Sequence, residues 1–183
     1  MRRLMFLALI LAVLPLAASA QALIIGGGAG KDCFNAVKLN PFPTAFHEKK
    51  CSEAILSGSL DRKNLAATLI NRGIIRMRRG NFVESLEDYA RAEALTPDVG
   101  ALHLNKGAAL IGTGQYAEAL ASLEKSLALE TQDPEAAYYN IGVAHERLGQ
   151  VEPAYRNYQT ALELKPNWSL PSNALERFTI LRD

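Results

Sequence analysis

The sequence predicts an all-α protein, a stack of three helix-turn-helix units with flanking helices at both ends. Three observations predict it. Between Ala66 and Pro166 the chain repeats itself with a period of about 34 residues. Each copy carries apolar residues at helical spacing in both of its halves, as two amphipathic helices require. A glycine also recurs midway through each copy, at Gly80, Gly114 and Gly149, where a tight turn would join the two helices.

Taken in chain order, residues 1–20 read as a signal peptide. Arg2 and Arg3 precede an apolar run from Leu4 to Leu14, Pro15 breaks it, and Ala18-Ser19-Ala20 supplies the small residues of a cleavage site. The run is short for a membrane span, which takes about 20 apolar residues. Cleavage after Ala20 would start the mature chain at Gln21, in the periplasm or outside the cell. No cysteine stands at the cleavage point to take a lipid. Residues 21–43 form a Gly/Pro-rich segment that contains Cys33, with a short helix around Asp32 to Leu39 interrupted by Pro41 and Pro43. Residues 44–65 supply a flanking helix, Thr44 to Ser57, which Gly58 stops, and a linker. The units occupy 66–99, 100–134 and 135–166. Asn167 then caps a last helix over 167–183, running to about Leu181.

Alignment on Gly73, Gly107 and Gly142 brings the units into register. Asn71, Asn105 and Asn140 stand two residues before these glycines, and Phe82, Tyr116 and Val151 two residues after the turn glycines. Ser85, Ala119 and Ala154 are small at one shared position; Tyr89, Leu123 and Tyr158 are large at the next. Glycine and a small residue let two helix backbones approach, and the large residue fills the space beside them. Leu95, Leu129 and Leu164 end the units. Pro97 and Pro166 follow two residues later and stop the helix, because proline cannot continue its hydrogen-bond ladder. Asp133-Pro134 opens the third unit as a cap followed by a proline in the first turn.

These matched positions resemble the tetratricopeptide repeat family, in an exported bacterial form, from about Ala66 to Pro166. Departures from its pattern are Thr131 in place of a proline, Val151 in place of an aromatic, and Leu69 and Ile70 where a bulky aromatic often stands. The resemblance implies a right-handed superhelical solenoid whose first helices line a concave groove. Carried over by position, that groove takes Ile70, Asn71 and Ile74 from the first unit. Leu104, Asn105 and Ala108 follow from the second, and Tyr139, Asn140 and Val143 from the third. Ala67, Arg78, Ala101, Ile111, Ala136 and Arg147 complete it. The implied function is a non-catalytic protein–protein interaction adaptor of the cell envelope that binds an extended peptide segment. The alternative is a structural subunit that self-associates through its helical edges and leaves the groove unused. Some relatives clamp a peptide's terminal carboxylate with lysines and an extra asparagine. Here those positions hold Ile70, Ile74 and Ala136, which argues against that ligand.

Chemistry is sparse elsewhere. A formal charge of +1 offers no footprint for nucleic acid or an anionic membrane surface, and no second long apolar run points to insertion after the leader is removed. Gly26 to Asp32 mimics a phosphate loop, but Ile25 and Asp32 stand where that loop needs glycine and a hydroxyl. His47, His103 and His145 fall in separate elements, and Glu84, Glu87, Asp88, Glu118 and Glu124 read as outward helix faces. Arg72, Arg76, Arg78 and Arg79 crowd one helix end, where cations complement the dipole. No catalytic constellation can be assembled, so neither enzyme activity nor a cofactor or metal is expected. An exported chain with two cysteines points to a Cys33–Cys51 disulfide. Oligomeric state is left open.

Overall fold

The computed structural model describes residues 4–6 and 29–180. Its architecture is a stack of helical hairpins. Helices α1 (Ala29–Leu39) and α2 (Ala45–Leu56) pair first. They are followed by α3 (Arg62–Arg78) with α4 (Phe82–Leu95) and α5 (Gly100–Gly112) with α6 (Tyr116–Ala128). Then come α7 (Pro134–Arg147) with α8 (Val151–Leu164), and a short last helix, α9 (Ser169–Leu175). The second helix of each hairpin packs on the first helix of the next, and α1, α3, α5 and α7 lie side by side along the stack. A short antiparallel pairing joins β1 (Leu4–Phe6) to β2 (Phe178–Ile180).

The repeated residues do the packing that their types require. A Cβ added to Gly73 would lie 2.4 Å from the Tyr89 ring, one on Gly107 2.5 Å from Leu123, and one on Gly142 2.7 Å from Tyr158. The large residue of the second helix therefore rests directly on the backbone of the first, beside the fully buried Ser85, Ala119 and Ala154. Each turn glycine is left-handed, with φ of 82° at Gly80, 79° at Gly114 and 72° at Gly149, a conformation that costs an L side chain about 1–2 kcal/mol. Helix starts are capped locally. Asp61 accepts from the Asn64 amide at 2.8 Å to open α3, Thr44 and His47 form a reciprocal capping box at α2, and Pro134 sits in the first turn of α7.

At the ends the structure departs from the sequence reading. The N-terminal flank is a complete hairpin, in which the short helix expected around Asp32 to Leu39 starts earlier and pairs with α2. Its α1 begins at Ala29, and Cys33 is bonded to Cys51 of α2. Cys33, Ala36 and Val37 of α1 are buried against Ile70 and Ile74 of α3, which is why the segment is helical despite the glycines that open it. The last helix ends at Leu175, short of the expected Leu181. Arg177 is held by Glu146 of α7, with contacts from 2.8 to 3.2 Å. Phe178 lies against the rings of Tyr155 and Tyr158. These two anchors, with β-branched Thr179 and Ile180 after them, favour an extended course. Asn167 is not the cap, for it is left-handed at φ 66° and Trp168 precedes the helix. The predicted signal peptide lies outside the described residues except for Leu4–Phe6, which the structure places as a strand; the segment 21–28 also lies outside them.

Candidate functional site

The candidate groove residues come from α3, α5 and α7. Their shared repeat position brings Asn71, Asn105 and Asn140 to equivalent places on three adjacent parallel helices. None of the nine residues is open, however. Ile70, Asn71, Ile74, Leu104, Asn105, Ala108, Tyr139, Asn140 and Val143 are all 4% exposed or less. Ile70 and Ile74 are covered by α1, and Leu104 packs with Ala136, Ala137 and Ile141 of α7. Tyr139 is flanked by the rings of Tyr158 at 5.6 Å and Trp168 at 5.2 Å. The apolar floor expected from the sequence is thus filled by helix–helix packing. The added first hairpin closes it at one end and Trp168 at the other. Of the wider set, Ile111 and Arg78 are half-buried and Arg147 is exposed, while Ala67, Ala101 and Ala136 are buried.

The asparagines differ from one another. Asn105 Nδ2 donates to the carbonyl of Ala101 in its own helix at 2.8 Å, which ties that amide to the framework. Its Oδ1 is buried and has no hydrogen-bond partner, and the same holds for Asn140 Nδ2. One acceptor and one donor, on neighbouring helices, are therefore unmatched.

The arginine cluster is the feature that sequence reasoning missed. Arg72 grips Asp88 of α4 with two hydrogen bonds, Nε to Oδ2 at 2.9 Å and Nη2 to Oδ1 at 2.6 Å, and reaches Ser52 of α2 at 3.0 Å. Arg76 adds a bond to Asp88 at 3.0 Å and one to Glu48 at 2.9 Å, and Arg79 also donates to Glu48. Asp88 is therefore buried, not on an outward face. Its carboxylate raises the Arg72 guanidinium above the usual arginine range. Arg78 instead donates to the carbonyls of Val37 and Asn40 in the first hairpin, and burial lowers it. These side chains clamp α2 onto α3 and α4 rather than waiting for an anion. No repeat signal could have revealed the pair, because Lys106 and Ile141 stand at the Arg72 position, and Ser122 and Asn157 at that of Asp88.

The histidines are structural. His103 is buried, with Nε2 2.7 Å from the Pro97 carbonyl, and burial lowers its pKa. His145 pairs with Gln150 across the α7–α8 turn, and His47 caps α2. Among the described residues no group of three or more His, Cys, Asp or Glu side chains could hold a metal ion.

Comparison with known proteins agrees with this geometry. Tetratricopeptide repeat profiles match residues 70–134 and 135–167. Residues 70–167 are tetratricopeptide repeats. An Hsp70-Hsp90 organizing protein of Triticum aestivum is 33% identical over 96 residues, 52% of this chain but only 16% of that protein. The first tetratricopeptide domain of Spaghetti (RPAP3), solved with the HSP90 peptide SRMEEVD, is 25% identical with a TM-score of 0.59. That match covers 63% of this chain and 90% of the domain. MamA from Desulfovibrio magneticus RS-1, residues 41 to the end, shares the fold at a TM-score of 0.64 and 23% identity, over 81% of this chain and 82% of its own. The tetratricopeptide array is therefore a right-handed solenoid, as the family resemblance implied, with one more hairpin ahead of the three repeats.

Proposed function

We propose that the chain is a non-catalytic protein–protein interaction adaptor of the cell envelope, periplasmic or secreted, which takes an extended segment of another protein along α3, α5 and α7. The observation that carries the reading is the unmatched pair on adjacent helices, Asn105 Oδ1 and Asn140 Nδ2. A peptide backbone brings an N–H and a C=O, the two partners these atoms need. Because both atoms are buried, binding includes a small parting of α5 from α7 beside the half-buried Ile111 and the exposed Arg147. The Spaghetti (RPAP3) domain with its bound peptide supports a peptide as ligand.

The ligand's chemistry follows from the side chains. Ile70, Ile74 and Ala136 carry no charge and are 1%, 0% and 0% exposed, so no lysine clamp awaits a terminal carboxylate. An internal, partly apolar segment fits better than an acidic chain end. Placement in the envelope is supported by the N-terminal pattern from Arg2 to Ala20 and by the Cys33–Cys51 bond, which persists in oxidising compartments.

A peptide array tiled from exported proteins would supply a binder, whose affinity is then measured by fluorescence anisotropy. Asn140→Ala removes one backbone hydrogen bond, worth about 1 kcal/mol, and should weaken binding about fivefold with little change in Tm. Unchanged affinity with a lowered Tm would assign the asparagines to the framework and refute the groove.

A further inference from the structure

The first hairpin ends in an apolar tip that the adaptor reading does not use. Between α1 and α2, Leu39 is 69% exposed, Phe42 88% and Phe46 63%. The tip is braced from below. Cys33–Cys51 joins its two helices, Arg78 holds the carbonyls of Val37 and Asn40 at 2.8 and 3.1 Å, and Asn40 Nδ2 donates to Ala36 at 3.1 Å. Pro41 and Pro43 flank Phe42, and Pro43 is buried. Phe42 is therefore held out into solvent by a fixed support, at the cost of leaving a large ring wet.

The charges around the tip are mostly positive. Lys38 lies 5.6 Å from the Phe34 ring centre and Lys50 lies 5.5 Å from that of Phe46, with Lys49 beside them. Of the carboxylates nearby, Glu48 is already held by Arg76 and Arg79. Glu53 stands 3.9 Å from Lys49 and 3.5 Å from Lys50. Lys38, Lys49, Lys50, Arg76, Arg78 and Arg79 thus outnumber Glu48, Glu53 and Asp88, which Arg76 also holds, at this end. The near-zero charge of the whole chain averages this away against acidic faces elsewhere. With the Lys38 and Lys50 ammonium groups over phenylalanine rings, and a single Glu53 carboxylate shared by Lys49 and Lys50, cation and ring lie together as a water–lipid boundary requires.

We propose that this tip docks on the surface of an anionic lipid bilayer. Phe42 enters deepest, Leu39 and Phe46 sit beside it, and the lysines lie at the level of the headgroup phosphates. The contact is shallow, since no helix among the described residues is long and apolar enough to cross a membrane. A second copy of the chain fits less well. Two rings and a leucine present on the order of 400 Å² of apolar surface, about half of the roughly 800 Å² per partner that a stable interface buries. Tip-to-tip pairing would also press like charges together, whereas anionic lipid satisfies ring and lysine at once.

The test is co-flotation of the full chain with phosphatidylcholine vesicles, with and without phosphatidylglycerol. Each variant is compared with its parent carrying the same N-terminus, so that the apolar run from Leu4 to Leu14 contributes equally. Phe42→Ser/Phe46→Ser should lower partitioning at least about tenfold with an unchanged circular dichroism spectrum, and Lys38→Glu/Lys50→Glu should lower it on anionic vesicles only. Phe42→Trp should shift its emission to the blue when anionic vesicles are added, over a constant background from Trp168. Unchanged partitioning of the phenylalanine variant, or equal binding to neutral vesicles, overturns the proposal. A concentration-dependent dimer that the phenylalanine variant loses in sedimentation would overturn it in favour of self-association.

Discussion

Tyr89 and Tyr158 occupy the same repeat position, yet removing their hydroxyls should shift stability in opposite directions. Both rings are 0% exposed, and both lie on the backbone of a helix glycine. Burial raises both hydroxyl pKa values, so each is neutral at any workable pH. They differ in what the oxygen touches. Tyr158 Oη donates to Glu146 Oε2 at 2.5 Å, whereas Tyr89 Oη has no hydrogen-bond partner. An unpaired buried hydroxyl costs about 1–3 kcal/mol. Tyr89→Phe removes that cost, less the contacts of the lost oxygen, and should stabilise by about 1 kcal/mol. A hydrogen bond to a charged acceptor contributes about 1.5–3 kcal/mol. Glu146 keeps Arg177 when the phenol is lost, so Tyr158→Phe should fall at the lower end of that range. For a chain of this size about 1 kcal/mol moves Tm by roughly 2–4 °C. Tyr89→Phe should therefore melt a few degrees higher and Tyr158→Phe a few degrees lower. Urea titration followed by circular dichroism, with equal slopes for parent and variants, would measure both. A destabilised Tyr89→Phe, or two shifts of the same sign, would refute the assignment of Tyr89 as the unpaired hydroxyl.

Other expectations test the frame around that pair. Gly114→Val puts a β-branched residue at φ 79° and should cost more than about 1 kcal/mol, while exposed Glu124→Ala should cost under about 0.5 kcal/mol; equal melting points would contradict the turn. Asp88→Ala strands the buried Arg72 charge and should cost about 3–5 kcal/mol in denaturant titration, most of it recovered when Arg72→Met is added. Reducing Cys33–Cys51, which closes a separation of 18 residues, should lower stability by about 3 kcal/mol, read as a midpoint shift with and without reductant. Because burial depresses the folded-state pKa of His103, its contribution is complete above the unfolded value near 6.5 and is lost as pH falls through the lower folded value. Melting curves between about pH 7 and 5 should therefore flatten in His103→Gln.

The parts of this fold legible in the sequence are the parts written three times. Gly73 with Tyr89, Gly107 with Leu123 and Gly142 with Tyr158 are three solutions of one packing problem, so each position is checked by its two counterparts along the chain. The turn glycines share that redundancy. The flanks do not. Nothing repeats to say that the residues around Cys33 form a helix which covers Ile70 and Ile74, or that Trp168 closes over Tyr139. Hence the exposure of the groove could not be read from the groove's own residues. Asp88 reads as outward because Glu84 and Glu87 share its stretch; only the placement of α2, with Ser52 and Glu48, shows that Arg72 and Arg76 enclose it. Pro41 and Pro43 read as an interruption, although they also set Phe42 out into water. Repetition preserves what every tetratricopeptide unit must share, so it carries the fold. What distinguishes this chain from other arrays must then lie where the pattern is broken or absent, at the Arg72–Asp88 clamp, the Phe42 tip and the Trp168 closure.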